Sequence, residues 1–580
     1  MNEGTVRPIV VAWKALLLAC PVVFVGLAAI GGIRRYSPVP YWDMWDSYLR
    51  FFIVATSGDV AVWWAQHNEH RIVFSKLLFW IDLALMDGGS TPFLIICNFL
   101  LAAASVLVFH RFLKALLGGA DARSIRVVIT ALVCVLGFSW VQEENFKWAF
   151  QSSFFSAQVF PLTAFYLLGR SMSDPAGCWI RFGGACAMGV ASAGTLASGV
   201  AVLPIMALTT LIARPKAWKK QFILAGLFAV VAIAYFHDYR PPGTHGQLLP
   251  TLMDHPGKLL RFIVLYLGNP AFFFVNGVSV LAAKLAGIIT LLAVIFMVLK
   301  VLLVKRPDPM MMSLLAFAGY LLATAIAVAG GRLIFGLEAA LSSRYSTPAL
   351  MLWCALLVLY AAYFDQHGSR QMRRHATATS GLVVATSLLL LPSQLRALEF
   401  DRPAKFDSMI AALALEMGVH DAAAIGRVYP LPEVVMKTAR EPSRRDLSIF
   451  GHPSIKDASL SLGQLVRENP KASCAGHLDV ILEVDRDPRF LKVSGWIFDQ
   501  VSRTAPHSAS VVDREGEIIG HVITGASRPD VASAVDGKAK RSGFTGYVLT
   551  KHRDSIGFLD ALGLACRVAV TIPVGTRNPG

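Results

Sequence analysis

Apolar stretches of about 20 residues recur along the first two thirds of this 580-residue chain, and that recurrence limits its possible folds more than any other feature. A helix of that length spans the roughly 30 Å hydrocarbon core of a bilayer. The stretches fall at about 9–32, 91–110, 126–141, 154–169, 178–194, 197–213, 221–236, 277–303, 310–329, 348–364 and 376–392, eleven in all. They predict a mainly α fold, a polytopic transmembrane helical bundle. A further apolar run from Leu259 to Phe274 is expected to be re-entrant or interfacial. The first stretch is longer than the 7 to 15 apolar residues of a cleavable signal and lacks a small-residue cleavage site, so it reads as a retained span. Only 16% of the residues are charged, where soluble domains carry about 25%.

The formal charge of +16 does not mark a nucleic-acid partner, because the basic residues cluster in short loops between spans. Arg111, Lys114, Arg123 and Arg126 form one such cluster, and Arg214, Lys216, Lys219 and Lys220 another. The positive-inside rule places these loops in the cytoplasm. With a cytoplasmic N-terminus, eleven spans then put the loops at 33–90, 142–153, 237–258 and 330–347, and the C-terminal tail, outside.

The expected domains are a membrane domain over 1–392, a helical linker region over 393–472 and a C-terminal extracytoplasmic β-sandwich over 473–580. From about His477 the apolar period changes to two. Runs at 479–484, 490–498, 509–513, 517–524, 546–550 and 566–572 read as strands, and Asp513-Arg514-Glu515-Gly516 reads as a hairpin turn. Six cysteines lie in apolar segments and behave as small hydrophobes. Cys474 and Cys566 flank the strands; in an oxidising compartment they can pair, and otherwise they are buried thiols.

The first outside loop is too long for a mere connector and carries two helix-period patterns. Trp45, Tyr48, Leu49 and Phe52 form one. Phe74, Leu77, Leu78, Ile81 and Leu85 form the other, with Ser75, Lys76 and Asp82 off the stripe. Such helices lie in the membrane interface.

Polar chemistry concentrates in the same loop. A carboxylate close to hydrocarbon is costly unless paired or used, which singles out Asp43 and Asp46. Three apart on a helix, they would share a face, and one could raise the pKa of the other and make it a base. Trp42 and Trp45 flank them, as substrate contacts or as part of an interfacial aromatic belt. Gln66 is followed by His67, Asn68, Glu69, His70 and Arg71. His67 and His70 are three apart, not four as in HExxH, and read as hydrogen-bonding histidines, with a divalent metal as the lesser alternative. No metal or other cofactor is assigned.

The second outside loop holds Glu143, Glu144, Asn145, Lys147, Trp148 and Gln151. The last holds Arg332, Glu338, Ser343, Arg344 and Tyr345. A planar guanidinium suits phosphate, so Arg344, Arg332 and Arg71 are candidates to hold one, with Lys147 as a point charge. The competing reading of each is a snorkelling or capping cation.

Taken together, Trp42-Asp43-Met44-Trp45-Asp46, His67-Asn68-Glu69-His70-Arg71, Glu144-Asn145 with Trp148 and Gln151, and Ser343-Arg344-Tyr345 resemble the GT-C class of polytopic glycosyltransferases, as an uncharacterised bacterial branch. The resemblance covers about residues 1–400. It implies a polyprenyl-phosphate-linked sugar donor, a cell-envelope glycan or lipid acceptor, inversion at the anomeric carbon and a multi-pass protein of the bacterial inner membrane. It also implies a catalytic carboxylate in the long first outside loop, where Asp43 and Asp46 stand. Some branches carry an adjacent Asp-Glu pair; here Met44 and Trp45 separate the two aspartates, so which of them is the base stays open. Ser494-Gly495-Trp496 and Arg528-Pro529-Asp530-Val531 with Ser542-Gly543-Phe544 resemble an accessory β-domain found near bacterial glycosyltransferases. A lipid-linked glycan polymerase or ligase is the chemical alternative. A transporter or flippase is the rival class, but it would place ionisable groups at the midplane of broken helices.

Overall fold

The computed structural model describes residues 3–89, 91–118, 122–174, 178–243, 245–274, 279–303, 307–367, 372–400, 402–466, 474–561 and 567–570. The chain divides into two compact units, one of residues 1–36, 63–78 and 92–400 and the other of residues 37–62, 79–91 and 401–580. The first outside loop is therefore shared between them.

Among the described residues, eight helices of the first unit are long and apolar enough to cross a membrane: Ala15–Arg35, Phe93–Leu116, Arg123–Lys147, Trp218–Phe236, Val280–Leu302, Pro309–Phe335, Ser343–Gln366 and Ser380–Leu398. This is a multi-pass membrane protein. The other three expected spans also form helices. Ser152–Ser173 is long enough but opens on Ser152, Ser153, Ser156 and Gln158, whereas Cys178–Ala193 and Ala197–Ala213 have only 16 and 17 residues.

The candidate spans turn apolar side chains outward, as a lipid solvent requires. Val280–Leu302 exposes Leu281, Leu285, Ile289 and Leu292 and buries Ala283, Gly287 and Thr290. The apolar run at 259–274 is a short helix, Pro256–Leu267, that buries Leu259, Phe262, Leu265 and Tyr266. It packs on Val280–Leu302 almost backbone to backbone: a Cβ on Gly287 would stand 1.9 Å from the Val264 carbonyl oxygen. Small residues permit such approaches between helices in lipid.

In the second unit, a seven-stranded antiparallel sheet runs in the order β1-β2-β5-β4-β3-β6-β7. The strands are β1 Cys474–Glu483, β2 Phe490–Asp499, β3 Ser508–Asp513, β4 Ile518–Ala526, β5 Gly543–Leu549, β6 Ile556–Ala561 and β7 Arg567–Ala569. The expected sandwich core is enclosed by this one sheet, with Leu478, Val493, Val511, Val522, Val548, Leu559 and Val568 meeting in a single cluster. The hairpin at 513–516 forms, with Gly516 at φ 90° and the buried Asp513 carboxylate accepting from the Glu515 and Glu517 amides at 3.1 and 2.8 Å. Strand β6 was not among the sequence expectations. Cys474 is disulfide-bonded, and Cys566 lies outside the described residues.

The helix Arg402–Met417 packs on β4 and β5. Beyond its end the Asp421 carboxylate accepts from Tyr547 Oη and Lys492 Nζ, both at 2.8 Å. Residues 37–62 and 79–91 are fastened within the same unit. The Trp42 amide donates to the Val428 carbonyl at 2.9 Å, Ser448 Oγ donates to the Pro38 carbonyl at 2.7 Å, and the Trp45 indole meets Phe450 edge-on.

Candidate active site

The tightest polar constellation of the first unit is built on a four-residue turn. His67 and His70 exchange two backbone hydrogen bonds of 2.8 Å, and Asn68 takes a positive φ of 48°, a conformation asparagine tolerates well. Arg71 clips the turn down. Its guanidinium donates to the carbonyls of Tyr235, Trp64 and His237 at 2.8, 2.5 and 2.6 Å, while the Tyr235 hydroxyl donates to the Glu69 carbonyl at 2.8 Å. The sequence offered Arg71 as a phosphate ligand; the structure buries it and commits its donors to backbone.

The clip aims the Glu69 side chain at two other loops. Arg332 Nη2 donates to Glu69 Oε1 at 2.8 Å, and Arg332 Nη1 donates to His245 Nε2 at 2.8 Å. His245 Nδ1 lies 2.9 Å from Glu69 Oε2, although not in line for a hydrogen bond. Because Nε2 accepts from Arg332, the ring proton belongs on Nδ1, facing the carboxylate. Three side chains from three separate loops thus close a ring. The Gly246 amide, which donates to the Gly331 carbonyl at 3.0 Å, holds His245 beside Arg332. Burial pushes the Glu69 carboxyl up, but His70, Arg332 and His245 outweigh it and hold the group below its ordinary value. His70 accepts the Ala197 amide on Nδ1 at 3.1 Å, and burial depresses it to about 4, so it is neutral at pH 7.

The ring closes one end of a cavity of about 130 Å³ whose walls include Glu69, His70, Arg332, Tyr345, Tyr266 and Gln158. A second, more open space of about 410 Å³ shares Ala197, Ser198, Thr324 and Ala327 with it and adds the apolar Val200, Pro204 and Phe228. A chamber with polar groups in its wall beside an apolar groove suits a molecule with a polar head and an aliphatic tail.

The other candidates of this unit support Tyr345. Arg344 Nε lies 3.6 Å from Glu144 Oε1, and Ser342 Oγ donates to Glu144 Oε2 at 3.1 Å. Asn145 Nδ2 donates to the Arg344 carbonyl at 2.9 Å and to Thr347 Oγ1 at 2.7 Å, which locks the turn that carries Arg344 and Tyr345. The Arg344 guanidinium stacks on the Tyr345 ring, 5.7 Å from its centroid. Glu143 instead gathers Arg35, Lys147 and Arg396 at 3.3, 3.2 and 3.4 Å, so Lys147 is ion-paired on its own helix. Gln151 is fully buried, and both amide atoms lack a hydrogen-bond partner among the described residues. His67 packs edge-on against Phe150. Among the described residues no group of three or more His, Cys, Asp or Glu side chains is placed to hold a metal.

In the second unit, Asp43 and Asp46 do not share a regular helical face. Trp42 takes a positive φ of 50°, which sets Asp43 in a tight turn, and the wide π-helical turn Trp45–Arg50 begins only after it. Asp46 is exposed and pairs with Arg50 at 3.0 Å, whereas Asp43 is half-buried. Burial raises the Tyr429 hydroxyl, and the charges of Asp43 and Asp46 raise it further, so both carboxylates lie within its electrostatic reach. Trp42 is exposed, but Trp45 is 1% exposed and belongs to the core. The helix Val73–Leu85 carries the second stripe expected for the first outside loop. Ser75, Lys76 and Asp82 are buried, while Leu77 and Leu85 of the apolar stripe are exposed, as suits an outer surface against lipid.

Sequence reasoning missed His245, Gln158 and Tyr266, none of which sits in a polar cluster of its own. Only the fold brings them to Glu69 and Arg332.

The fold and this cavity define a multi-pass membrane protein with a cavity of mixed lining beside an apolar groove. No family model and no curated protein matches the sequence. Among solved structures, the chain is similar to ArnT from Cupriavidus metallidurans bound to undecaprenyl phosphate, at 14% identity and a TM-score of 0.37, over 74% of this chain and 75% of that one. It is also similar to the Archaeoglobus fulgidus oligosaccharyltransferase in complex with Zn and sulfate, at 12% identity and a TM-score of 0.40, over 70% of this chain and 56% of that one.

Proposed function

We propose that this chain is a membrane glycosyltransferase that moves a sugar from a polyprenyl-phosphate-linked donor to a glycan or lipid acceptor of the bacterial cell envelope, on the extracytoplasmic face of the inner membrane. The observation that carries the reading is the ring of Glu69, Arg332 and His245 at the end of a cavity with polar groups in its wall that shares a side with an apolar groove. In this reading the groove takes the start of the polyprenyl chain and the cavity takes the head.

The acceptor oxygen attacks the anomeric carbon as the bond from that carbon to the phosphate oxygen breaks, and the phosphate leaves with the bonding electrons. Arg332 supplies positive charge for that leaving group, as Arg344 does beside Tyr345. Glu69 acts as a positioning residue, since it fixes the guanidinium of Arg332 and the tautomer of His245. For the base, which takes the acceptor's proton, we keep to the two aspartates of the sequence resemblance and favour Asp43, because Asp46 is exposed and paired with Arg50. Attack opposite the departing phosphate inverts the anomeric centre.

The test is transfer from a panel of polyprenyl-phosphate sugars by purified protein, comparing wild type with Asp43→Asn, Asp46→Asn, the double variant and Glu69→Gln. Loss in Asp43→Asn and weakened donor use in Glu69→Gln support the assignment. Full activity in all three aspartate variants removes the aspartates, and a wild type that neither binds nor uses any such lipid sinks the function.

A further inference from the structure

Gln158 stands one and a half turns into the helix Ser152–Ser173, is 2% exposed and lines the cavity that Glu69 and Arg332 close. Its Oε1 is buried and has no hydrogen-bond partner among the described residues. Leaving a buried amide oxygen unpaired is costly. The helix holds the amide in place, because the Tyr320 hydroxyl donates to the carbonyl of the adjacent Ala157 at 2.9 Å and meets Ser198 Oγ at 3.1 Å. The backbone beside the amide is therefore fixed, and Gln158 lies in the wall of a space that could hold a donor.

The charges around that space are already spoken for. Glu69 and Arg332 neutralise each other at 2.8 Å, and His70 is uncharged at pH 7. Away from that pair the polar wall is made of neutral amide and hydroxyl groups, Gln158, Ser198, Tyr266, Thr324 and Tyr345. A sugar hydroxyl would find the Gln158 oxygen along this wall.

We propose that Gln158 reads the donor sugar: its Oε1 accepts a hydrogen bond from a hydroxyl of an uncharged sugar ring seated in the cavity, and so selects the sugar and not the lipid that carries it. This rests on the glycosyltransferase reading above. It assigns to Gln158 a specificity role that neither the phosphate contacts nor the base requires.

Binding to protein in lipid nanodiscs tests it with two probes, a polyprenyl-phosphate hexose and bare polyprenyl phosphate. Gln158→Leu keeps the side-chain size and removes the acceptor. It should weaken the hexose lipid about 10-fold, the worth of one hydrogen bond to a buried partner, and leave the bare lipid within about twofold. Gln158→Glu keeps an acceptor oxygen and should recover much of the hexose affinity, while discriminating further against a uronic acid lipid. Equal weakening of both lipids by Gln158→Leu, or unchanged binding of the hexose lipid, overturns the role of Gln158 and leaves the glycosyltransferase reading standing. A wild type that binds neither lipid overturns both. Bare-lipid binding by each variant also reports that it is folded.

Discussion

Glu69 and Asp46 are both carboxylates of the first outside loop, yet they live in different physics. Glu69 lies inside a ring of Arg332 and His245, and its neighbours hold it ionised against the cost of burial. Asp46 stands in the open beside Arg50, where each partner keeps more than half its surface. A carboxylate with three fixed neighbours can hold other groups in place, whereas one in solvent with a single flexible neighbour holds very little. Asp43, half-buried after the left-handed turn at Trp42, falls between these extremes, as a base that must both meet a substrate and exchange a proton does.

That contrast breaks most sharply at Asp43. Asp43→Asn should lower kcat about 10²–10⁴-fold while donor binding stays within about threefold, since a general base acts on the chemical step alone. A change confined to KM would move Asp43 out of the base role. Glu69→Gln should act in the opposite way. It loosens Arg332 and His245 together, so affinity for a polyprenyl-phosphate sugar should fall about 10- to 100-fold, measured by equilibrium binding, with a smaller loss in the rate at saturation. If Glu69→Gln kept its affinity and lost only kcat, Glu69 would be the base in place of Asp43.

How far the sequence revealed this arrangement depends on which force was in charge. The spans were readable because burial in lipid demands long apolar helices, and eight of the eleven expected stretches meet that demand. The span expected at 154–169 takes in the first turns of Ser152–Ser173, which carry polar groups that face the interior, Gln158 among them. The stripe of Val73–Leu85 was legible as that of an interfacial helix, and Leu77 and Leu85 face out while Asp82 faces in. Glu69, His70, Arg332 and Tyr345 were picked out as candidates, and they do meet in one cavity. Arg71 was misjudged because nothing in a sequence separates a guanidinium that binds phosphate from one that binds three carbonyls. His245 is one of three histidines in a loop of 22 residues at 237–258, and only the backbone bond between Gly246 and Gly331 reveals its partner.

A third carboxylate sharpens the comparison through pH. Asp82 is 2% exposed, and burial raises it to about 7 even though Tyr48 donates a hydrogen bond to it at 2.7 Å. A group raised in the folded state contributes stability that is whole below its ordinary value near 4 and is lost as pH rises through 7. Amide exchange in Trp45–Thr56, the segment that Tyr48 anchors, should therefore quicken between pH 4 and 7 by up to about tenfold per unit, beyond the intrinsic rise with base, and level off above that. In Asp82→Asn, which keeps an oxygen for Tyr48 and carries no proton to lose, that extra slope should vanish. An unchanged slope would place the pH sensitivity elsewhere.

The smallest effect belongs to the exposed pair. Arg50 and Asp46 sit four residues apart, with 68% and 52% of their side-chain surfaces open. Solvent screens their attraction and both chains lose freedom when they meet, so the pair is worth about 0–1 kcal/mol. Arg50→Ala should shift the thermal midpoint of the purified protein by no more than about 2 °C, and Asp46→Asn should keep transfer activity within about threefold. These small numbers are informative because the same chemical change, carboxylate to amide, is expected to be costly at Asp43 and at Glu69. Should Asp46→Asn abolish transfer while Arg50→Ala leaves it intact, the exposed carboxylate would be the one that meets the acceptor, and its pairing with Arg50 would be a resting arrangement that substrate displaces.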